Sequence, residues 1–403
     1  MKRVLFVIPY LVEGGTERAL SNLTTYFPKE WEIDILVNND KGRAYSFRGN
    51  VITLGITGKS KTGSVFFQAR VFFKRVRRLR KLKKLGNYQA CVSFLDSANV
   101  ANILSGKSFC KVIVSVRSSL QQQSKLPQYK YIVTPLVKLF YNHADRVIAV
   151  SKGIEVELIK VFGIRKDKIH VIENGYDVNK IQSDSSEALS ADENKRIANR
   201  KLVVTTGRLT DAKGQWHLVR AFSEVIKKIP NAFLIIIGSG ELEDYLKDLV
   251  SGYGLIESVY FTGHVANPYK YMVQADVFVL PSLYEGFPNA LAEAVCLGLP
   301  CIATDFRTGA RELLSPDKDL TENGLQYIKG VQYGILTPLC SGKQYRNIEE
   351  SLEKAEKQLA EAIIKLLQDE EKRKQYMLKS QIRSETLRID TMVSKWVDIV
   401  EGH

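Results

Sequence analysis

Thirty residues near the three-quarter point constrain the fold most tightly. From Asp276 to Asp305 they read Asp-Val-Phe-Val-Leu-Pro-Ser-Leu-Tyr-Glu-Gly-Phe-Pro-Asn-Ala-Leu-Ala-Glu-Ala-Val-Cys-Leu-Gly-Leu-Pro-Cys-Ile-Ala-Thr-Asp. The apolar run Val277–Leu280 predicts a buried strand, and Glu285-Gly286 a loop after it. Pro288 suits the first position of a helix, where its missing N–H costs nothing. Gly298 suits a left-handed stop to that helix, and Pro300–Thr304 predicts the next strand. Glu285 then falls just before the helix and Glu293 on its second turn. Carboxylates there accept hydrogen bonds from hydroxyls, while free N–H groups of the first turn bind anions. A ligand with both hydroxyls and phosphates, such as a nucleotide sugar, fits that pair of features. An ordinary βαβ turn with two exposed glutamates is the plainer alternative.

Strand and helix alternate through the rest of the chain. Within 1–175, strands are predicted at 3–8, 31–37, 51–54, 90–95, 111–116, 146–150 and 169–172, with helices between. After residue 201, strands at 201–206, 232–237 and 258–261 lead into the 276–305 unit. Two halves built this way predict an α/β chain of two Rossmann-like domains, 1–175 and 201–385, with parallel sheets facing each other across a cleft. Residues 176–200 are polar and show no apolar face, so they read as an interdomain linker. The tail 346–403 is predicted helical, with one apolar stripe from Leu352 to Leu367 and another at Met392, Trp396 and Ile399.

Composition narrows the class. Of 403 residues, 45% are hydrophobic and 25% charged, which excludes a disordered chain. No apolar run approaches the ~20 residues of a membrane span. Met1-Lys2-Arg3 and the apolar run after it read as a first strand, because Pro9 and a polar stretch follow too soon for a leader. The five cysteines lack metal-ligand spacing, which predicts a reduced, cytosolic chain.

The net charge is +14, and nine Lys/Arg with no acid fall between Arg70 and Lys84. Ser64–Leu85 reads as a helix whose Phe72, Phe73, Val76, Leu79, Leu82 and Leu85 share one face. Lys74, Arg75, Arg77, Arg78, Lys81 and the other cations occupy the rest. Like charges at i,i+4 repel, so an anionic partner is expected, with a solvated amphipathic helix as the bland alternative. Membrane surface or lipid diphosphate is favoured over nucleic acid, because no aromatic residue interleaves the charges from Lys74 to Lys84.

Several strand ends carry polar residues, where open α/β sheets hold ligands. Gly14-Gly15 follows the first strand and lets backbone N–H groups approach a phosphate, or is a plain loop. Asp96 and Arg117 follow two later strands. They face a cleft, or Asp96 caps a helix and Arg117 pairs with it. Gly207-Arg208-Leu-Thr-Asp-Ala-Lys213-Gly follows the strand 201–206.

The Glu285-x7-Glu293 string, with Arg208 and Lys213 upstream, resembles the retaining family 4 glycosyltransferases of the two-Rossmann GT-B fold, over nearly the whole chain. The resemblance implies that Arg208 and Lys213 stabilise a departing diphosphate without an essential metal. No Asp-x-Asp motif stands where a metal-dependent transferase needs one. It implies that Glu285 meets donor-sugar hydroxyls, that amides of Gly286, Phe287 and the adjoining Pro288, Asn289 and Ala290 region meet phosphates, and that Glu293 meets the ribose. His264 and Val265 would wall the base pocket. Gly14 and Gly15 would bring amides to the diphosphate from the opposite domain, and residues from about 386 would cross back onto the first domain. Arg117 stands where many members carry histidine, and serves either the donor sugar or an acceptor phosphate. Asp96 is the best-placed carboxylate of the first domain. Same-face substitution is expected, the leaving phosphate oxygen taking the acceptor proton.

Val92-Ser-Phe-Leu-Asp96-Ser-Ala-Asn99, with the basic helix, resembles bacterial transferases that extend polyprenyl-diphosphate-linked glycans. The implied partners are a nucleotide sugar, with UDP favoured over GDP by the resemblance, a lipid-linked glycan acceptor and an anionic membrane surface, not nucleic acid. The implied place is the inner face of the cell membrane, in surface-polysaccharide or glycan assembly, transferring a hexose or N-acetylhexosamine. Two rivals stand beside this reading. One is a nucleotide-sugar epimerase on the same fold. The other is a basic nucleic-acid- or membrane-binding protein with a vestigial sugar site, against which intact Arg208, Lys213, Glu285 and Glu293 argue.

Overall fold

The computed structural model describes residues 2–56, 65–123, 127, 129–306, 308–316, 324–345 and 348–402. It divides into two compact units, Met1–Gly175 with Ile389–His403, and Tyr176–Arg388.

The first unit is built on seven parallel strands: β1 (Lys2–Val7), β2 (Trp31–Val37), β3 (Asn50–Thr53), β4 (Ala90–Phe94), β5 (Lys111–Val116), β6 (Arg146–Ala149) and β7 (Ile169–Val171). Their order is β3-β2-β1-β4-β5-β6-β7, so the direction of progression reverses between β1 and β4. Side chains of a strand alternate between faces. Val4 and Phe6 accordingly pack in one core with Phe94 and Trp396, while Leu5 and Val7 pack in another with Val71 and Leu79. Both faces are covered, which is why Val4–Val7 of β1 form an unbroken apolar run.

The helix Ile389–Glu401 completes the first of these cores. It buries Ile389, Met392, Val393, Trp396, Ile399 and Val400, spaced by three and four along one face. Trp396 is 2% exposed, its ring 5.9 Å from that of Phe94. Lys111 Nζ donates to the carbonyl of Glu401 at 2.5 Å, a cation at a helix C-terminus.

The second unit carries β8 (Lys201–Thr206), β9 (Ala232–Ile237), β10 (Val259–Gly263), β11 (Val277–Leu280), β12 (Cys301–Thr304), β13 (Lys329–Val331) and β14 (Gly334–Thr337). The order is β10-β9-β8-β11-β12-β14-β13, parallel except for the β13–β14 pair. Here the reversal lies between β8 and β11. Trp216, Phe222, Leu234, Ile236, Val279, Leu359 and Ile363 form its core.

Residues 176–200 are not a linker. They form the helices Val178–Ser185 and Ala191–Ile197, which belong to the second unit. Their polarity is how they attach. Tyr271 donates to Glu193, Asn267 donates to the Asp184 carbonyl at 2.7 Å, and Lys270 pairs with Glu187 at 2.7 Å. Ser190 and Glu193 make a reciprocal capping box, for which the spacing Ser-x-x-Glu was the sequence signal. The tail becomes helical only from Lys354, after the segment 348–353.

Candidate active site

The reversal point of the second sheet brings two loops side by side. The loop after β8 holds Gly207 to Gly214, and the loop after β11 holds Pro281 to Pro288. Lys213 Nζ pairs with the Glu285 carboxylate across them. Ser282 Oγ donates to Glu285 Oε1 at 2.9 Å, and Thr308 Oγ1 donates to the Glu285 carbonyl. The Leu283 N–H donates to the Ala212 carbonyl at 2.9 Å. Both loops are thus fixed before any ligand arrives. Arg208 extends an exposed side chain from the first loop, while its carbonyl accepts from Gln215 Nε2 at 3.0 Å.

Gly214 makes this proximity possible. Its φ is +61°, a left-handed conformation, and a Cβ there would lie 2.5 Å from the Pro281 carbonyl oxygen. Gly214→Ala is therefore expected to lower stability by about 2 kcal/mol and to weaken nucleotide binding in parallel. Chemical denaturation beside nucleotide titration checks this; unchanged values in both would refute the role given to the turn.

The helix after Glu285 runs Asn289–Cys296. Pro288 is its cap, one residue earlier than the sequence implies. Gly286, Phe287 and Pro288 are buried at this start, and Ala290 is half-buried. Asn289 Oδ1 accepts from Tyr176 Oη at 2.6 Å. Glu293 is 3% exposed, so the alternative of two exposed glutamates does not hold. Burial and the nearby Glu293 charge push the Cys296 thiol up to about 12. Gly298 is left-handed at φ +74°; its N–H and that of Leu299 close the helix on Val295 and Ala294. His264 is exposed and Val265 half-buried beyond β10, two strands from β8. The Gly263 carbonyl accepts from the Gly238 N–H at 2.9 Å, tying the loops after β9 and β10.

In the first unit, Gly14 and Gly15 begin the helix Gly15–Tyr26 beyond β1, and Asp96 begins the helix Asp96–Leu104 beyond β4. These two positions flank that sheet's own reversal point. Asp96 does not pair with Arg117. Arg117 donates to Asn174, while Asp96 Oδ1 accepts from Tyr141 Oη at 3.0 Å. Burial raises the Asp96 carboxyl to about 6, against the hydrogen bond from Tyr141. Asn99 Nδ2 donates to Tyr141 Oη and to the Ser115 carbonyl, both at 3.0 Å. Tyr141 and Asn99 escape the sequence reading. No spacing rule links residue 141 to the end of β4, and Asn99 stands out only as the last residue of the Val92–Asn99 phrase.

The basic helix, Val65–Gly86, also differs from expectation. Ser64 lies outside the described residues. The buried row is Val71, Arg75, Leu79 and Lys83, at a spacing of four, while Phe73 and Leu85 are 61% and 70% exposed. Arg75 is therefore not a surface cation. Its guanidinium donates to Asn38 Oδ1 at 2.8 Å and Ser97 Oγ at 3.1 Å, and burial lowers it to about 10. Lys83 Nζ donates to the carbonyls of Asn102 and Gly106, both at 2.9 Å, closing the end of the helix Asp96–Leu104. Lys74, Arg77, Arg78 and Lys81 are exposed.

One group of potential metal ligands lies elsewhere. His217, Cys340 and Glu353 bring ligand atoms within 4.8 Å of one another. His217 Nε2 accepts from the Gly342 N–H at 3.2 Å, which leaves Nδ1 to donate to Glu356 at 2.8 Å. Both ring nitrogens are engaged, and the cluster reads as a structural hydrogen-bond network. All five cysteines are free and buried. Among the described residues, no helix is long and apolar enough to cross a membrane.

Known proteins resemble this chain in sequence and fold. The family model described as Glycosyltransferase Family 4 matches residues 13–180, and the one described as Glycosyl transferases group 1 matches residues 187–329. An uncharacterized glycosyltransferase of Methanocaldococcus jannaschii is 33% identical over 339 residues, covering 82% of this chain and 83% of that protein. A Campylobacter jejuni N-acetylgalactosamine-N,N'-diacetylbacillosaminyl-diphospho-undecaprenol 4-alpha-N-acetylgalactosaminyltransferase is 26% identical, covering 79% and 85%. The crystal structure of Anabaena HepE in complex with UDP and glucose has a TM-score of 0.74 at 22% identity, over 100% of both chains, and shows the same fold. With a first domain of one model, a second domain of the other and a relative this similar over most of its length, the chain belongs to the group 1/family 4 glycosyltransferases and is a transferase of two Rossmann-like domains.

Proposed function

We propose that the chain transfers a hexose or N-acetylhexosamine, with retention of configuration and without an essential divalent ion, from a UDP-linked donor to a lipid-linked glycan. The observation that carries this is the Lys213–Glu285 pair at the β8/β11 reversal point, on loops already tied together. Ligands of open α/β sheets sit at such points. A diphosphate leaving group needs positive charge, and Lys213 with the exposed Arg208 supplies it. The arriving diphosphate takes Lys213 as its counter-ion, and Glu285 turns its oxygens to the sugar hydroxyls. Gly286, Phe287 and the start of the helix Asn289–Cys296 meet the phosphates, and Glu293 meets the ribose. As the acceptor oxygen bonds to the anomeric carbon, the bond to phosphate breaks on the same face. Its electron pair leaves with the diphosphate, whose oxygen takes the acceptor proton.

The acceptor class rests on the relatives. Two Campylobacter jejuni relatives are named for acting on diphospho-undecaprenol or PP-undecaprenol glycans. Exposed Lys74, Arg77, Arg78 and Lys81 beside exposed Phe73 suit an anionic membrane surface at the inner face of the cell membrane.

A thermal-shift panel of UDP, GDP, ADP and UDP-sugars, with and without EDTA, tests the reading. A ligand at a hundred times its Kd stabilises by about 2.7 kcal/mol. The expected result is a shift with UDP compounds that survives EDTA and is lost in Lys213→Ala. A shift abolished by EDTA would overturn metal independence. No nucleotide shift, but a strong one with duplex DNA, would overturn the transferase donor site.

A further inference from the structure

The first domain's reversal point holds a polar network that donor chemistry leaves unused. Leu95, the last residue before Asp96, has φ +72° and ψ 146°. A branched side chain is strained there, and such strain persists only where the surrounding structure imposes it. It sets Asp96 as the first residue of the helix Asp96–Leu104, past the cap position, and no side chain caps that helix. The carboxylate turns to Tyr141 instead.

The direction of every hydrogen bond in this chain is fixed. The Ser115 carbonyl can only accept, so Asn99 presents its NH2 to it and to Tyr141 Oη. Tyr141 has one proton, and with Asn99 donating to its oxygen, that proton points to Asp96 Oδ1. Tyr141 and Asn99 are fully buried, so the carboxylate is held at the end of β4 by groups with no other exposed task. Tyr141 engages one carboxylate oxygen; no side chain among the described residues engages the other.

We infer that Asp96 accepts a hydrogen bond from a hydroxyl of the sugar acceptor, with Tyr141 as its positioning residue. This rests on the transferase reading above. An ionised carboxylate is the strongest hydroxyl acceptor among protein side chains, and a site that must bind a polyhydroxylated glycan away from the donor's phosphates needs one. The other groups facing this point keep one charge state near neutrality. Burial, then Asp96, raises the hydroxyl of Tyr129, from the turn Tyr129–Val133, to about 12. Tyr141 is pushed up further by burial and then Asp96. From the basic helix, Arg75 stands one residue along, at Ser97 Oγ. Asp96 itself, raised to about 6 by burial, is the group that changes charge.

The sign follows directly. Acceptor use requires the carboxylate, so it is present above the Asp96 pKa and lost as pH falls through it. Tyr141 donates to the ionised form and holds the pKa down. Tyr141→Phe therefore shifts the acid limb to higher pH.

The test uses the full chain, UDP-N-acetylgalactosamine and UDP-N-acetylglucosamine as donors, and a panel of p-nitrophenyl glycosides and undecaprenyl-diphosphate-linked glycans as acceptors. In Tyr141→Phe, kcat/KM for the acceptor is expected to fall about tenfold through KM, with the acid limb displaced upward and donor KM unchanged. Asp96→Asn, nearly isosteric, is expected to lose about a hundredfold or more and to show no such limb, while its UDP thermal shift matches wild type. Wild-type transfer with an unmoved limb in Tyr141→Phe, or an unaltered acceptor kcat/KM in Asp96→Asn, overturns this inference alone. A wild-type chain that neither binds UDP nor transfers to any acceptor overturns the underlying reading, and the inference with it.

Discussion

Lys213→Ala is expected to lower kcat/KM for the nucleotide-sugar donor about a thousandfold, near 4 kcal/mol of transition-state stabilisation. Charge accumulates on the leaving diphosphate as the sugar–phosphate bond breaks, so a cation fixed at that point contributes more to the transition state than to the ground state. The effect should fall on kcat in addition to the loss of binding that the missing thermal shift reads. Lys213 is held by Glu285, whose own carboxylate is shared with Ser282. Removing the lysine therefore also leaves a partly buried carboxylate without its counter-ion, at about 1 kcal/mol of stability. Glu285→Gln should impair transfer by a different route, through the sugar hydroxyls. The double variant should be less than additive, because each partner orients the other. Steady-state kinetics with a single-turnover measurement separates these. A Lys213→Ala enzyme within tenfold of wild type would remove Lys213 from the chemistry.

Glu356→Ala is expected to destabilise the second domain by about 3–5 kcal/mol, the largest stability loss anticipated for a single side chain here. Glu356 and Arg220 both have fully buried side chains and meet at 2.8 Å. Glu356 also accepts from His217 Nδ1 at 2.8 Å and from the Glu353 N–H at 3.0 Å. Arg220 spends its remaining donors on Tyr253 Oη at 2.7 Å and on the carbonyls of Glu350 and Ser351, both at 3.1 Å, and lies 3.6 Å from the Tyr345 ring centre. Deleting the carboxylate leaves a guanidinium buried with hydrogen bonds but no counter-charge. Glu356→Gln should cost less, since the amide oxygen still accepts. Urea denaturation of the two variants checks the order; equal losses would mean that shape rather than charge holds the network. His217 and Arg220 sit on the helix that starts just after Gly214, so the same variants should loosen the loop bearing Lys213.

What was legible in the sequence was local in the chain. Arg208, Lys213, Glu285 and Glu293 lie on two loop-to-helix passages whose glycines, prolines and apolar runs give their own structure away. Glycine at 214 and 298 is required by backbone geometry, and the residue type reports it directly. What stayed hidden was settled at a distance. A row of four, Val71-Arg75-Leu79-Lys83, is buried because polar acceptors from Asn38, Ser97, Asn102 and Gly106 await its two cations. Helical spacing put both cations on the polar face and Phe73 on the apolar one. Polarity made residues 176–200 look like a tether, though polar contacts are what bind them to their domain. Tyr141 reaches Asp96 from 45 positions away, and no periodicity encodes such a return.

The helix Ile389–Glu401 also has a consequence for synthesis. Its Trp396 and Met392 fill the same core as Phe6 and Phe94, yet residues 176–388 are translated in between. At ribosomal rates of ~5–20 residues per second, the first domain waits roughly 10–40 s with that side of its sheet open. The second domain lies within one continuous stretch and is under no such delay. A nascent chain should therefore become protease-resistant in its later-made half first, with the earlier-made half maturing only after the helix leaves the exit tunnel.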